Sequence, residues 1–211
     1  MTKSFDRYRA HPWHGLPVGP DAPAIVETYI EITPFDAVKY EIDKATGYLR
    51  VDRPQGSSAL PPCLYGLIPK TYCGDRVAAF TEGAEQGDED PLDICVISEQ
   101  AITKSDVVVS ARVLGGIRLL DGGEADDKIV AVLSSDKVFE HASEIGDLPE
   151  ARINRLLHYF MTYKLPMTGD RTNPMEVIGM YGREEAYEII NASLADYDAE
   201  FGAMANEGGD V

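Results

Sequence analysis

The chain has 211 residues, 44% of them hydrophobic, and a formal net charge of -17 from 19 basic and 36 acidic side chains. That length can bury a substantial core, and the composition is that of a folded globular protein rather than a disordered chain. The charge argues against general nucleic-acid binding, which needs a basic footprint, but admits a small anionic substrate if metal ions reverse the local sign.

Residues 1–24 carry polar residues, prolines and glycines without periodicity and read as an N-terminal arm wrapped over the domain. The stretch MTKSFDRYRAHPWHG has no apolar signal core, and no run approaches a membrane span. VETYIEIT (26–33) and AVKYEID (37–43) alternate as half-buried strands do; KATG (44–47) is a turn, and YLRVDR (48–53) is the returning strand. Further strands are expected at 64–68, 76–80, 93–97, 106–120 and 128–133, with Gly115-Gly116 bending or bulging the long one. Many short strands joined by turns suggest a small barrel rather than a parallel sheet.

Helices come late. Asp147 to Glu150 reads as a capping box with Pro149 in the first turn, leading into a helix that carries Ile153, Leu156, Leu157 and Phe160 on one stripe and stops at Pro166. A second helix is expected from near Glu184, and residues 205–211 read as a frayed tail. Without repeats or a shift in composition, residues 1–211 read as one domain. Cys63, Cys73 and Cys95 form no CxxC pair, and their odd number fits a reducing, cytoplasmic location; Cys95 reads as a buried small hydrophobe.

The chemistry concentrates in two acidic loops. GDEDPLDICVISE (87–99) sets Asp88, Glu89, Asp90 and Asp93 against a core strand, with Pro91 stiffening the loop. Carboxylates about 4 Å apart repel by roughly 4 kcal/mol at an effective dielectric of 20, so one takes a proton or a cation intervenes. Oxygen-only ligands suit Mg²⁺ or Mn²⁺. An EF-hand fits poorly, because Leu92 stands at the fifth loop position from Asp88. Taken alone, this motif fits a solvated turn better than a metal site. LLDGGEADDKIVAV (119–132) adds Asp121, Glu124, Asp126 and Asp127, and two such loops bring the readings level. Asp126 and Lys128 share a face if a strand starts there, while Asp127 faces away. Lys39 and Glu41 also share a face, and a surface ion pair explains them as well as a site does. Arg53 suits bidentate phosphate contact, and Lys164 at a helix end is commonly only a dipole partner. The four histidines show no ligand spacing, and no P-loop or nucleophile elbow is present.

Together these residues resemble a known family. DEDPLD is similar to the D-x-D-P-x-D signature of soluble family I inorganic pyrophosphatases, and IEITPFDAVKYEIDKATGYLRVDR, YGLIP, EADDKIVAV and HYFMTYK resemble other family segments in the same order. The resemblance runs from about residue 25 to 165. It implies an α+β, mainly β fold: a closed five-stranded OB-like barrel with helices packed outside. It implies hydrolysis of pyrophosphate to two orthophosphates by a metal-activated water, without a covalent phosphoenzyme, using several Mg²⁺ ions per site. By the same resemblance, Asp88, Asp93, Asp121, Asp126 and Glu31 are metal ligands, Asp90 is the general base and Tyr65 a site tyrosine. Lys39, Arg53, Lys128, Tyr163 and Lys164 hold phosphate oxygens, and Glu41 acts through water. A homo-oligomer is implied, a hexamer ahead of a dimer, with His158 on a helix that could serve such an interface.

The departures are Pro61, where many members have tyrosine, and Glu89, where glycine is common. Residues 73–86 are longer than in compact bacterial relatives and could cover the site mouth, and residues 169–177 lack a lysine-rich run. Two other classes compete. An oligonucleotide-binding barrel would need the basic, aromatic face these strands lack, and a non-catalytic metal binder would have no need of Lys39, Arg53 and Lys164.

Overall fold

The computed structural model describes residues 9–56, 58–165 and 173–207. Its elements are β1 (Ile25–Ile32), β2 (Val38–Ile42), β3 (Leu49–Pro54), β4 (Leu64–Leu67), α1 (Asp75–Ala78), β5 (Gln86–Gly87) and β6 (Asp93–Ile97). There follow β7 (Val107–Asp121), β8 (Glu124–Ala125), β9 (Lys128–Leu133), a 3-10 turn (Ile145–Asp147), α2 (Glu150–Thr162), β10 (Met175–Gly182) and α3 (Arg183–Glu207).

Five strands close on themselves. β1 pairs with β4, β4 with β6, β6 with β9, β9 with β7, and β7 returns to β1. All pairs are antiparallel except β6–β9. The ring is the expected five-stranded barrel-like sheet, with α2 and α3 outside it. β6 and β9 are buried along both faces, which explains their unbroken apolar runs. Ile94, Val96, Ile129 and Ala131 join Val26, Ile30, Leu64, Ala111 and Val113 in a cluster drawn from all five strands, to which α3 adds Ala186, Ile189 and Ile190. Cys95, Ile97, Val130 and Val132 face the other way, onto Leu156, Tyr159 and Phe160 of α2. The long β7 pairs with β1, β8, β9 and β10, and it breaks register against β9 between Val113 and Gly115, where Gly115 adopts φ +155.

Three expectations are corrected. Residues 76–80 do not form a strand: α1 starts there because the buried Asp196 carboxylate of α3 accepts the N–H groups of Gly74 (3.1 Å), Arg76 (3.1 Å) and Val77 (3.2 Å). A cap delivered from the far end of the chain leaves no local signature. The capping box sits one turn earlier, since Asp147 reaches back to the N–H groups of Ser143 (2.8 Å) and Glu144 (3.0 Å) and leaves Pro149 at the N-cap of α2. β10 was not expected; it pairs with β7 and carries one glycine inside and one at its end. The stop at Pro166 lies outside the described residues, as do residues 208–211 of the proposed tail.

The described part of the arm is anchored by its aromatic residues. Trp13 is buried, donates its indole N–H to the Thr71 carbonyl (2.7 Å), and packs edge-on against Phe201 of α3. His14 Nδ1 lies 2.8 Å from the Tyr197 hydroxyl. Among the described residues no helix is long and apolar enough to cross a membrane.

Burial, and secondarily His11, hold the His14 imidazole pKa below its ordinary 6.5. Its share of the stability is therefore complete above the unfolded-state value and is lost as pH falls through the lower folded-state value. Between pH 7.5 and 5, the midpoint of thermal unfolding should fall by a few degrees more in the wild-type chain than in His14→Gln. Parallel melting curves would assign the acid sensitivity elsewhere.

Candidate active site

One end of the ring gathers the sequence's acidic loops into a cleft of about 220 Å³. β1 contributes Glu31, β4 Tyr65, the loop before β6 Asp88 and Asp90, and β6 itself Asp93; the β7–β9 connection contributes Asp121, Glu124 and Asp126, and β9 Lys128. The C-terminus of α2 adds Tyr163 and Lys164, while the β2–β3 hairpin, a separate two-stranded sheet, adds Lys39, Glu41 and Lys44.

The DEDPLD loop is held by its backbone. Asp88 accepts the Asp90 N–H (3.0 Å), and Glu89 takes φ +57 while donating its N–H to the Cys73 carbonyl (3.1 Å). The Asp90 carbonyl accepts the Cys73 N–H (2.8 Å), and Leu92 donates to the Thr71 hydroxyl (2.8 Å). Glycine is eased by such a φ, so the glutamate at position 89 carries some backbone strain.

Lys128 lies at the centre and is 2% exposed. Its ammonium donates to Asp93 Oδ2 (2.5 Å) and pairs with Asp126; the Tyr65 hydroxyl donates to the same Asp93 oxygen (2.5 Å). Burial works against the ammonium, yet Asp126 and Asp93 outweigh it and hold the Lys128 pKa well above the lysine range. The same cation overcomes burial at Asp126 and keeps that carboxylate below its ordinary value. Asp93 is pushed up by burial despite Lys128. Asp88, buried and facing Asp126, is pushed well above the carboxylate range and shares a hydrogen bond with Asp126. Glu31 accepts the Ile42 N–H (2.7 Å), and burial raises its pKa to about 8. Asp127 faces away from the cleft, as the alternation requires, toward Thr81 (3.2 Å) and Arg118 (3.8 Å).

The remaining cations are also occupied by acids. Lys39 pairs with Glu41 and lies 3.5 Å from Asp52, Lys44 pairs with Asp90, and Lys164 pairs with Asp121. Every residue expected at the site lines the cleft except Arg53, which is exposed on β3 and turned onto Asp52. Lys44 was missed because a lysine in a hairpin turn has no local mark; Glu124 was visible in the second acidic loop but carried no assigned role. Pro61 lines a different groove, and no residue of 73–86 lines the cleft, because α1 and β5 face α3 and β8 instead.

The donor set suits hard divalent cations. Eight carboxylates (Glu31, Glu41, Asp88, Asp90, Asp93, Asp121, Glu124, Asp126) line the cleft against four lysines (Lys39, Lys44, Lys128, Lys164), and no sulfur or imidazole donor lines it. The protein alone leaves this excess uncancelled, and burial with neighbouring carboxylates pushes the Asp88 and Glu31 carboxyls upward. Among the described residues no three acidic, histidine or cysteine side chains already converge on one point as ligands do. The ammonium of Lys128 occupies the position between Asp93 and Asp126.

A family model described as inorganic pyrophosphatase matches residues 28–198. An inorganic pyrophosphatase of Chlamydia caviae is 45% identical over 199 residues, 90% of this chain and 92% of that one. Its counterpart in Chlamydia muridarum is 48% identical over 195 residues, covering 89% and 93%. The crystal structure of the inorganic pyrophosphatase from Thermus thermophilus superposes with a TM-score of 0.76 at 33% identity, over 90% of this chain and 99% of that one.

Lys128→Met keeps the length of the side chain and removes the charge that separates Asp93 from Asp126. Urea unfolding in chelator should lose about 3–5 kcal/mol, the usual cost of removing one member of a buried ionic group. A loss well under 1 kcal/mol would show that the ammonium does not hold these acids together.

Proposed function

The chain belongs to the inorganic pyrophosphatase family and hydrolyses pyrophosphate to phosphate, and from that premise we propose that water attacks directly, without a covalent phosphoenzyme, in the acidic cleft. Asp88, Asp93, Asp121, Asp126 and Glu31 would hold Mg²⁺, several ions per site, with Mn²⁺ as the alternative. Such ions, when bound, acidify water and screen the charge of phosphate oxygens.

Asp90 is the proposed base. It sits on the rigid loop beside Asp88, half exposed, where a carboxylate can take a proton from the attacking water and release it to solvent. Lys39, Lys128 and Lys164 are already ammonium groups in contact with carboxylates in the cleft. Phosphate oxygens brought beside them would meet positive charge where negative charge develops on the leaving phosphate. Tyr163 offers a hydroxyl on the same side, and its ring is fixed by stacking on Tyr159 at 4.9 Å. Arg53 would join them by leaving Asp52, and its fork suits two phosphate oxygens. Tyr65 orients Asp93 through their hydrogen bond, and Glu41 holds Lys39.

The observation that carries this reading is the surplus of carboxylates over lysines in one cleft, a place that attracts a pyrophosphate anion only when further positive charge is present. A cytoplasmic location is supported by three buried, unpaired cysteines. Assembly into a homo-oligomer, a hexamer ahead of a dimer, is part of the same proposal and is read by light scattering.

Asp90→Asn and Asp93→Ala should each cut turnover by about a hundredfold to ten-thousandfold with the far-ultraviolet spectrum unchanged; full phosphate release by a folded double variant would defeat the assignment. Excess chelator should abolish phosphate release and Mg²⁺ should restore it. With ATP or tripolyphosphate in place of pyrophosphate, release under Mg²⁺ should be far slower, and equal rates would argue for a general phosphoanhydride hydrolase.

A further inference from the structure

Lys44 reaches the cleft from the turn of the β2–β3 hairpin, a two-stranded sheet that stands apart from the ring. Its ammonium pairs with Asp90, and both side chains are about half exposed. Exposed ion pairs contribute little to stability. What this one fixes is the direction of a carboxylate, since Lys44 is the one cation paired with Asp90 among the described residues.

The turn that carries Lys44 rests on the N-terminal arm. His11 Nδ1 accepts the N–H groups of Trp13 (3.2 Å) and His14 (3.3 Å), so that nitrogen carries no proton. The proton of the neutral ring then sits on Nε2, which lies 3.2 Å from the Lys44 carbonyl and donates to it. Gly47 lets arm and turn meet: it takes φ +70, and a Cβ there would lie 2.8 Å from both His11 Cδ2 and Pro12 Cδ. The arm is held in its turn by residues 70–73. The Trp13 carbonyl accepts the Lys70 N–H (2.9 Å), and its indole donates to the Thr71 carbonyl (2.7 Å). The same segment holds the DEDPLD loop, because Cys73 donates to the Asp90 carbonyl (2.8 Å) and the Thr71 hydroxyl accepts the Leu92 N–H (2.8 Å). Asp90 and Lys44 are therefore the two ends of one circuit that runs through residues 70–73, Trp13 and His11, and their ion pair closes it.

We propose that Lys44 is a further positioning residue for the reaction, holding the Asp90 carboxylate in place for the attacking water, and that His11 acts through Lys44 by fixing the hairpin turn. This rests on the reading of Asp90 as the base. A reacting group displaced by about 1 Å can cost roughly a hundredfold in rate, so a half-exposed carboxylate gains from a fixed partner. The competing role for Lys44 is to hold a phosphate oxygen, as its neighbours in the cleft are proposed to do. Kinetics separate the two, because lost substrate binding raises KM and lost positioning lowers kcat.

In the full chain with saturating Mg²⁺, Lys44→Met should lower kcat for pyrophosphate about tenfold while KM changes less than about twofold, and Lys44→Arg should restore most of the loss. His11→Asn tests the arm: the shorter side chain still accepts the Trp13 N–H and no longer reaches the Lys44 carbonyl. It should lower kcat about threefold in the wild-type background and have no effect in Lys44→Met. The emission of Trp13, the chain's one tryptophan, should stay unchanged throughout. A KM raised about fivefold or more at unchanged kcat makes Lys44 a phosphate ligand and overturns the proposal, as does wild-type kcat in Lys44→Met. Losses from His11→Asn and Lys44→Met that simply multiply, or a shifted Trp13 emission in His11→Asn, overturn the link through the arm. If Asp90→Asn itself turns over at the wild-type rate, the catalytic reading fails and this proposal with it. An inactive Asp90→Asn beside a fully active Lys44→Met fails this proposal alone.

Discussion

Lys128 donates to Asp93 and Asp126 from a position almost without access to water, so its charge and theirs must be settled within the protein. A buried ammonium without acids would give up its proton, and buried carboxylates without a cation would take one up. Held together, the three stay ionic and share one place. At Asp88 that compensation falls short of burial and the neighbouring Asp126, and at Glu31 burial dominates, so both are driven toward the protonated form. The cleft is thus balanced at its centre and in deficit at its edges, a distribution that favours added cations over added anions.

This arrangement uses the geometry of the ring. Strand ends that are distant in sequence meet at one opening, so a glutamate near residue 30, a loop near 90 and a turn near 125 face one another without any segment being long. The apolar faces behind them do the positioning: β6 and β9 are buried on both sides, and neither can rotate or slip without exposing alternate residues. The hairpin β2–β3 lies outside the ring, and its basic residues approach the cleft from a more exposed support.

Much of this was legible in the chain. Apolar runs at 93–97 and 128–133 marked two of the ring's strands, and the alternation at Asp126, Asp127 and Lys128 separated the cleft-facing charges from the inward one. The acidic loops were visible as charge crowded against core. What stayed hidden depended on partners distant in sequence. The turn of helix at 75–78 needs Asp196, and the role of Lys44 needs Asp90 to be folded beneath the hairpin tip. β10 was obscured by Gly179 and Gly182, since a strand that owes its existence to the edge of β7 shows weak propensity of its own. Arg53 carries a further lesson: its chain position fits a phosphate ligand, while its side chain is committed to its neighbour Asp52.

Asp93 and Lys128 are register partners across the parallel pair β6–β9. Their spacing is therefore fixed by main-chain hydrogen bonds and not by the length of chain that joins them. The connection leaving β6 crosses exposed positions around 99–105 before β7 begins. Loop exchange, or grafting of a foreign segment into that connection, would leave the pair's alignment untouched.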